Sequence, residues 1–156
     1  FNHDIRIANQ FCFDHGDQAD ASFFCNDDAS KTTPIFLFQK LLARHWGDQV
    51  LKTETQNIPS IHVQGADDTV EMPKLAFSAA RGKDNKVFVM VVNRTNDADV
   101  STKIATGLAC QEGKQYQLNG SNGWDSSDAA VSTKTVDPSK ALSFPRASIS
   151  ILEIQL

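Results

Sequence analysis

A chain of 156 residues with 40% apolar and 22% charged side chains is long enough to bury a sizeable core and too balanced in composition to stay disordered. Its formal net charge of −4, without any cluster of Lys and Arg, argues against a nucleic-acid partner. No apolar run approaches the roughly 20 residues of a membrane-spanning helix, so no membrane partner is expected.

Phe1 is preceded by no basic and apolar leader pattern; it reads as a processed terminus or, preferably, a cut in a longer protein. Composition then shifts near residue 50. Seven of the ten phenylalanines fall before residue 39, and only Phe77, Phe88 and Phe144 follow. The early part holds a polar loop from Asp14 to Asp20 and a short apolar run from Ala21 to Cys25, which suits a buried strand. Cys12 and Cys25 can bridge in an oxidising compartment, or all three cysteines, Cys110 included, can be buried thiols.

The clearest helix is predicted from Pro34 to Trp46. Thr33 is a capping residue, Pro34 suits the first helical position, and Ile35, Phe38, Leu41, Leu42 and His45 recur at helical spacing. Gly47 is expected to supply a left-handed stop. Beyond it the periodicity becomes that of strands. Leu75 to Ala80 and Lys86 to Asn93 flank a turn signal and predict a hairpin. Further strands are expected at Val100 to Thr106, Tyr116 to Leu118, Val131 to Val136 and Ala141 to Phe144. In the closing run from Ser148 to Leu156 the apolar alternation changes phase at Ile151-Leu152, which implies a bulge or burial on both sides. Many short strands with regular turn signals give a mainly β fold: an antiparallel sandwich preceded by a short α/β part.

Four stretches carry a resemblance. Thr33 to Leu51 (TPIFLFQKLLARHWGDQVL) resembles the last barrel helix of the α-L-arabinofuranosidases of glycoside hydrolase family 51 and their clan relatives, where a Pro-led aromatic helix enters the sandwich. LAFSAA followed by VVNRT is similar to the family's strand pair and its Asn-Arg-Ser/Thr turn. Tyr116 to Gly120 (YQLNG) and the closing SFPRASISILEI match its later segments in order. The resemblance implies that residues 1–49 end a (β/α)8 barrel and that residues 50–156 form a jelly-roll-like sandwich. It also implies that the family's two catalytic glutamates lie upstream. Neither maps onto Glu54, Glu71, Glu112 or Glu153, so no catalytic residue is assigned here.

Other chemistry finds little support in the residues. His3, His15, His45 and His62 form no metal-binding pattern, and no nucleophile elbow or phosphate loop is present. The Asp14, Asp17 and Asp20 cluster reads as a solvated loop before it reads as a Ca²⁺ site. No metal and no cofactor are expected. Sugar rings stack on exposed aromatic faces, which makes Trp124, Tyr116 and Trp46 the candidate carbohydrate contacts. Trp124 sits in a polar loop, whereas Trp46 suits a helix–sandwich junction. Asn93-Arg94-Thr95 and Asn119-Gly120-Ser121 are glycosylation sequons, relevant only in a eukaryotic secretory pathway.

The leading expectation is a non-catalytic sandwich portion of a secreted glycoside hydrolase, partnered by its own catalytic barrel and shaping the cleft for a polysaccharide. An autonomous carbohydrate-binding module and a protein-interaction domain without sugar ligand are the alternatives.

Overall fold

The computed structural model describes residues 32–65, 68–107, 110, 112–123 and 128–156. Cys12, Cys25, Trp124 and the Asp14 to Asp20 loop lie outside these residues. One helix, α1 (Pro34–Arg44), precedes ten strands among the described residues: β1 (Gln49–Leu51), β2 (Ser60–Gln64), β3 (Thr69–Pro73), β4 (Leu75–Arg81), β5 (Lys86–Asn93), β6 (Val100–Lys103), β7 (Gly113–Asn119), β8 (Ala130–Val136), β9 (Ala141–Phe144) and β10 (Ser148–Gln155).

The fold is mainly β, and every strand pair is antiparallel. A six-stranded sheet in the order β1-β4-β5-β10-β7-β8 is the framework. The β6–β9 pair packs over one of its faces and helix α1 over the other, giving a sandwich-like arrangement.

The closing strand explains why both faces are oily. Ser148 through Gln155 pair one-to-one with Asn93 through Lys86, so β10 has no bulge. Its two apolar phases are both used. Leu152 and Ile154 join Val87, Val89, Val91, Leu75 and Phe144 in the inter-sheet core. Ile151 points the other way, to Phe88, Leu118 and Leu41 beneath the helix. All three β10 residues are fully buried, each worth about 1.5–3 kcal/mol.

The predicted β4–β5 hairpin is present, and its turn places Asp84 and Asn85 at φ 56° and 57°. Short polar side chains tolerate that region best, and consecutive left-handed residues suit the twist of a hairpin. Lys86 N–H closes the turn on the Lys83 carbonyl at 3.2 Å.

Helix α1 begins as expected. Thr33 Oγ1 accepts from Phe36 N–H at 3.4 Å, and Pro34 opens the first turn. It ends two residues before Trp46, with His45 as the cap at φ −132° and its N–H on the Leu41 carbonyl at 2.8 Å. Gly47 is not left-handed, which corrects the sequence expectation. Its role is close approach: a Cβ there would overlap the Arg81 carbonyl at the end of β4. The glycine lets the chain leave the helix flush against the sheet edge and enter β1.

Strands β1, β2 and β3 were not expected from the sequence. The β2–β3 hairpin pairs only with itself, and its register aligns Ile61, Val63, Val70 and Met72 on one face.

Candidate functional site

The one cluster of coupled ionisable side chains in the described core of the fold sits where the C-terminal end of α1 meets the outer sheet face. Glu153 is at its centre. As the one charged residue of β10, it faces the helix side along with Ile151. Pairing places Lys86 and Phe88 of β5 beside it on one flank and Lys114 and Tyr116 of β7 on the other. Lys86 Nζ donates to Glu153 Oε1 at 2.6 Å, and Tyr116 Oη donates to Oε2 at 3.2 Å. His45 Nδ1 lies 3.5 Å from the same Oε2, and its ring stacks on Tyr116 with centroids 3.7 Å apart at 21°. The helix cap residue is thereby locked onto the sheet.

The electrostatics follow from burial and pairing. Burial pushes Glu153 upward, but the Lys86 ammonium and the Tyr116 and His45 hydrogen bonds outweigh it, and the carboxyl stays below its usual range. Burial lowers His45, and Arg44 and Lys86 add to that. The opposing pull of Glu153 is smaller than the effect of burial, so the neutral imidazole is favoured. Tyr116 is raised by burial and by the neighbouring carboxylate, and Lys86 is raised by its bond to Glu153.

The sign of the pH dependence is the same for both acid-side groups. Glu153 and His45 have folded values below their ordinary 4.5 and 6.5, so each contributes stability above that value and loses it as the pH falls through the folded one. Melting temperature is therefore expected to decline on acidification from just below pH 6.5, and more steeply below pH 4.5. Raised Tyr116 and Lys86 lose their contribution only as the pH rises through their own elevated values. Glu153→Gln should cost about 1 kcal/mol near pH 7, a drop of about 2–4 °C, and flatten the acid limb. A thermal melt series from pH 4 to 9 on both proteins checks this; identical pH profiles would remove the cluster from the account.

The expected carbohydrate contacts are placed as follows. Tyr116 is half-buried, with one ring face on His45 and its hydroxyl on Glu153. Trp46 is half-buried and packs against the cluster of Leu41, Phe88, Leu118 and Ile151. The structure brings Tyr116 and Trp46 to the same helix–sheet junction. Glu153 and Lys86 were missed as site residues. The available signal was a lone carboxylate interrupting the apolar pattern of a terminal strand.

Asn93, the first sequon residue, is fully buried. Its Nδ2 donates to the carbonyls of Phe144 and Ala98 at 2.9 and 3.0 Å, and its Oδ1 accepts from Thr95 N–H and Oγ1 at 3.0 and 2.9 Å. The Asn-x-Thr pattern therefore serves a turn, and the folded chain offers no glycan acceptor there. Among the described residues no group of three or more His, Cys, Asp or Glu is arranged to hold a metal ion. No described helix is long and apolar enough to cross a membrane.

Fold and site together define an antiparallel, sandwich-like β domain with a helix pinned to its outer face through a half-buried carboxylate. Solved structures that share this fold include α-L-arabinofuranosidases of glycoside hydrolase family 51. The enzyme from Thermotoga petrophila superposes with a TM-score of 0.66 at 21% identity, over 80% of this chain and 29% of its own. The Thermotoga maritima enzyme, solved with arabinose, gives 0.62 at 21% identity, over 81% and 30%. The chain thus spans less than a third of the length of the structures it matches. No protein-family model and no curated protein sequence matches it.

Proposed function

We propose that this chain is the sandwich portion of a glycoside hydrolase of the α-L-arabinofuranosidase type, structural rather than catalytic, with the bond-breaking glutamates on a (β/α)8 barrel outside these residues. In this reading residues 1–49 complete the barrel and residues 50–156 are the sandwich that buttresses it and shapes one wall of the polysaccharide cleft. The observation that carries the reading is the coverage: the fold match takes in 80% of this chain but 29% of the enzyme.

The chemistry of the site supports the same reading. Glycoside hydrolysis uses two carboxyl groups, and one of them must hold a proton near neutral pH. Glu153 is a single carboxylate, ion-paired to Lys86 and held ionised. It is suited to fastening the helix and unsuited to protonating a leaving group.

The purified chain is expected to release no nitrophenol from nitrophenyl α-L-arabinofuranoside above the buffer rate. The coding sequence adjoining that of Phe1 is expected to encode a barrel of about 250 residues with two strand-end glutamates. Turnover by the chain that is lost in Glu153→Gln would sink the proposal.

A further inference from the structure

The inner face of the six-stranded sheet changes character across its width. Under the β6–β9 layer it is oily, built from Leu75, Val87, Val89, Val91, Leu152 and Ile154. Past β10 the same face turns polar. Gln115 of β7 stands opposite Leu152, so the two-residue period of a strand puts Gln115, Gln117 and Asn119 on this face. Their partners on β8 are Lys134, Ser132 and Ala130. Gln115 is fully buried and reaches the Ser143 carbonyl of β9 at 3.4 Å. Beyond it the cover falls away: Gln117 and Asn119 are half-buried, and Ser132 and Lys134 are exposed.

The three amides are joined in a row. Gln115 Nε2 donates to Gln117 Oε1 at 3.4 Å and to Ser150 Oγ at 3.1 Å, and Gln117 Nε2 donates to Asn119 Oδ1 at 3.0 Å. The row is open at both ends. Among the described residues, Gln115 Oε1 is buried without a partner and Asn119 Nδ2 has none. The side chains of Ser132 and Lys134 also have none there. Amides drawn out of water need partners, and apolar residues would fill this face at lower cost.

The chemistry of the strip selects its ligand. Side chains about 6.5 Å apart along β7 offer donors and acceptors together and carry no charge. An anion would meet acceptor oxygens as often as donors. An added peptide strand would need the outer edge of β8, which Lys134 at its centre guards. A chain of sugar rings repeats hydroxyls that both donate and accept along a line, and so matches the row.

We propose that the inner face of β7 and β8 binds a neutral oligosaccharide, its hydroxyls bonded to Gln117, Asn119 and Ser132, with Gln115 anchoring the row from beneath. Tyr116 lies on the opposite face of the same strand, with the helix, so this strip is separate from the aromatic junction. It belongs to the sandwich itself and needs no barrel beside it.

Xylohexaose, cellohexaose and linear arabinohexaose, all uncharged, are the probes, and nuclear magnetic resonance of the purified, nitrogen-15-labelled chain is the readout. At least one of them should shift the side-chain amide signals of Gln117 and Asn119 saturably, with a Kd of about 1 mM. Affinity should stay within about twofold between about 0.05 and 0.5 M NaCl, because no ion pair is made. Gln117→Ala/Asn119→Ala should weaken binding by about tenfold or more, and Lys134→Gln should leave it within about twofold. Each variant is counted only if it keeps the parent's cooperative melting transition. Ser132→Leu, at an exposed position across from Gln117, replaces the double variant should that one not fold, and should also weaken binding by about tenfold. No saturable shift with any of the three sugars, shifts confined to Tyr116 and Trp46, loss of binding in high salt, or equal affinity in parent and folded strip variant would each overturn the proposal.

Discussion

Replacing Asn93 with leucine should destabilise the domain by about 3 kcal/mol or more, lowering the melting temperature by about 6–12 °C. The side chain is fully buried at the end of β5 and makes four hydrogen bonds: two donated to the Phe144 and Ala98 carbonyls, two accepted from Thr95. Leucine fills much of the volume but leaves the Thr95 N–H and the Phe144 carbonyl without this partner. Each orphaned buried group costs about 1–3 kcal/mol. The Thr95 hydroxyl is spared, because it still donates to Ala98 at 2.8 Å. Asn93→Asp offers a sharper check. At neutral pH its carboxylate would face two carbonyl oxygens, whereas the protonated acid can donate to one of them. The aspartate variant should therefore lose the most at pH 7 and regain part of its deficit relative to the parent near pH 4. Urea titrations at the two pH values measure this, and a loss below about 1 kcal/mol for both variants would show that the turn tolerates unpaired groups.

Phe144→Ala carries the other large expected effect, about 3–5 kcal/mol. Phe144 is the largest fully buried side chain among the described residues and belongs to the two-stranded layer, yet it packs in the same cluster as Val91, Leu75 and Leu152 of the six-stranded sheet. Removing the ring leaves a cavity between the layers. Amides of Val100 to Lys103 and Ala141 to Phe144 should then lose hydrogen-exchange protection before those of β5 and β10. Uniform loss across all strands would mean that the layers fold as one unit. Because Asn93 also binds the Phe144 carbonyl, the Asn93→Leu and Phe144→Ala costs should not add, and a double-variant cycle should show coupling of about 0.5 kcal/mol or more.

These residues also show what was legible beforehand. Strands β5, β6, β8 and β10 were readable because they are rich in β-branched residues, and β4, β7 and β9 because short runs with apolar residues lie between turn signals. The start of α1 was readable because a capping threonine and a proline satisfy helix-end requirements locally. Strands β2 and β3 escaped notice because Pro59, Gly65 and Pro73 break the pattern into short pieces. Their alternation of Ile61 and Val63 with Val70 and Met72 makes sense only once the two are paired.

Local chemistry in the chain was enough to determine the mainly β class, the helix start and the β4–β5 turn, since each depends on neighbours a few residues apart. Only the tertiary structure decided the rest. Asn93 became a turn lock instead of a sequon because the Phe144 carbonyl arrives from 51 residues away. Gly47 became a contact point because the Arg81 carbonyl crosses it. Glu153 became the centre of a charged cluster because Lys86, Tyr116 and His45 converge on it from three elements. Hydrogen bonds and ion pairs act over a few ångströms of space, and sequence separation says little about which groups will be that close.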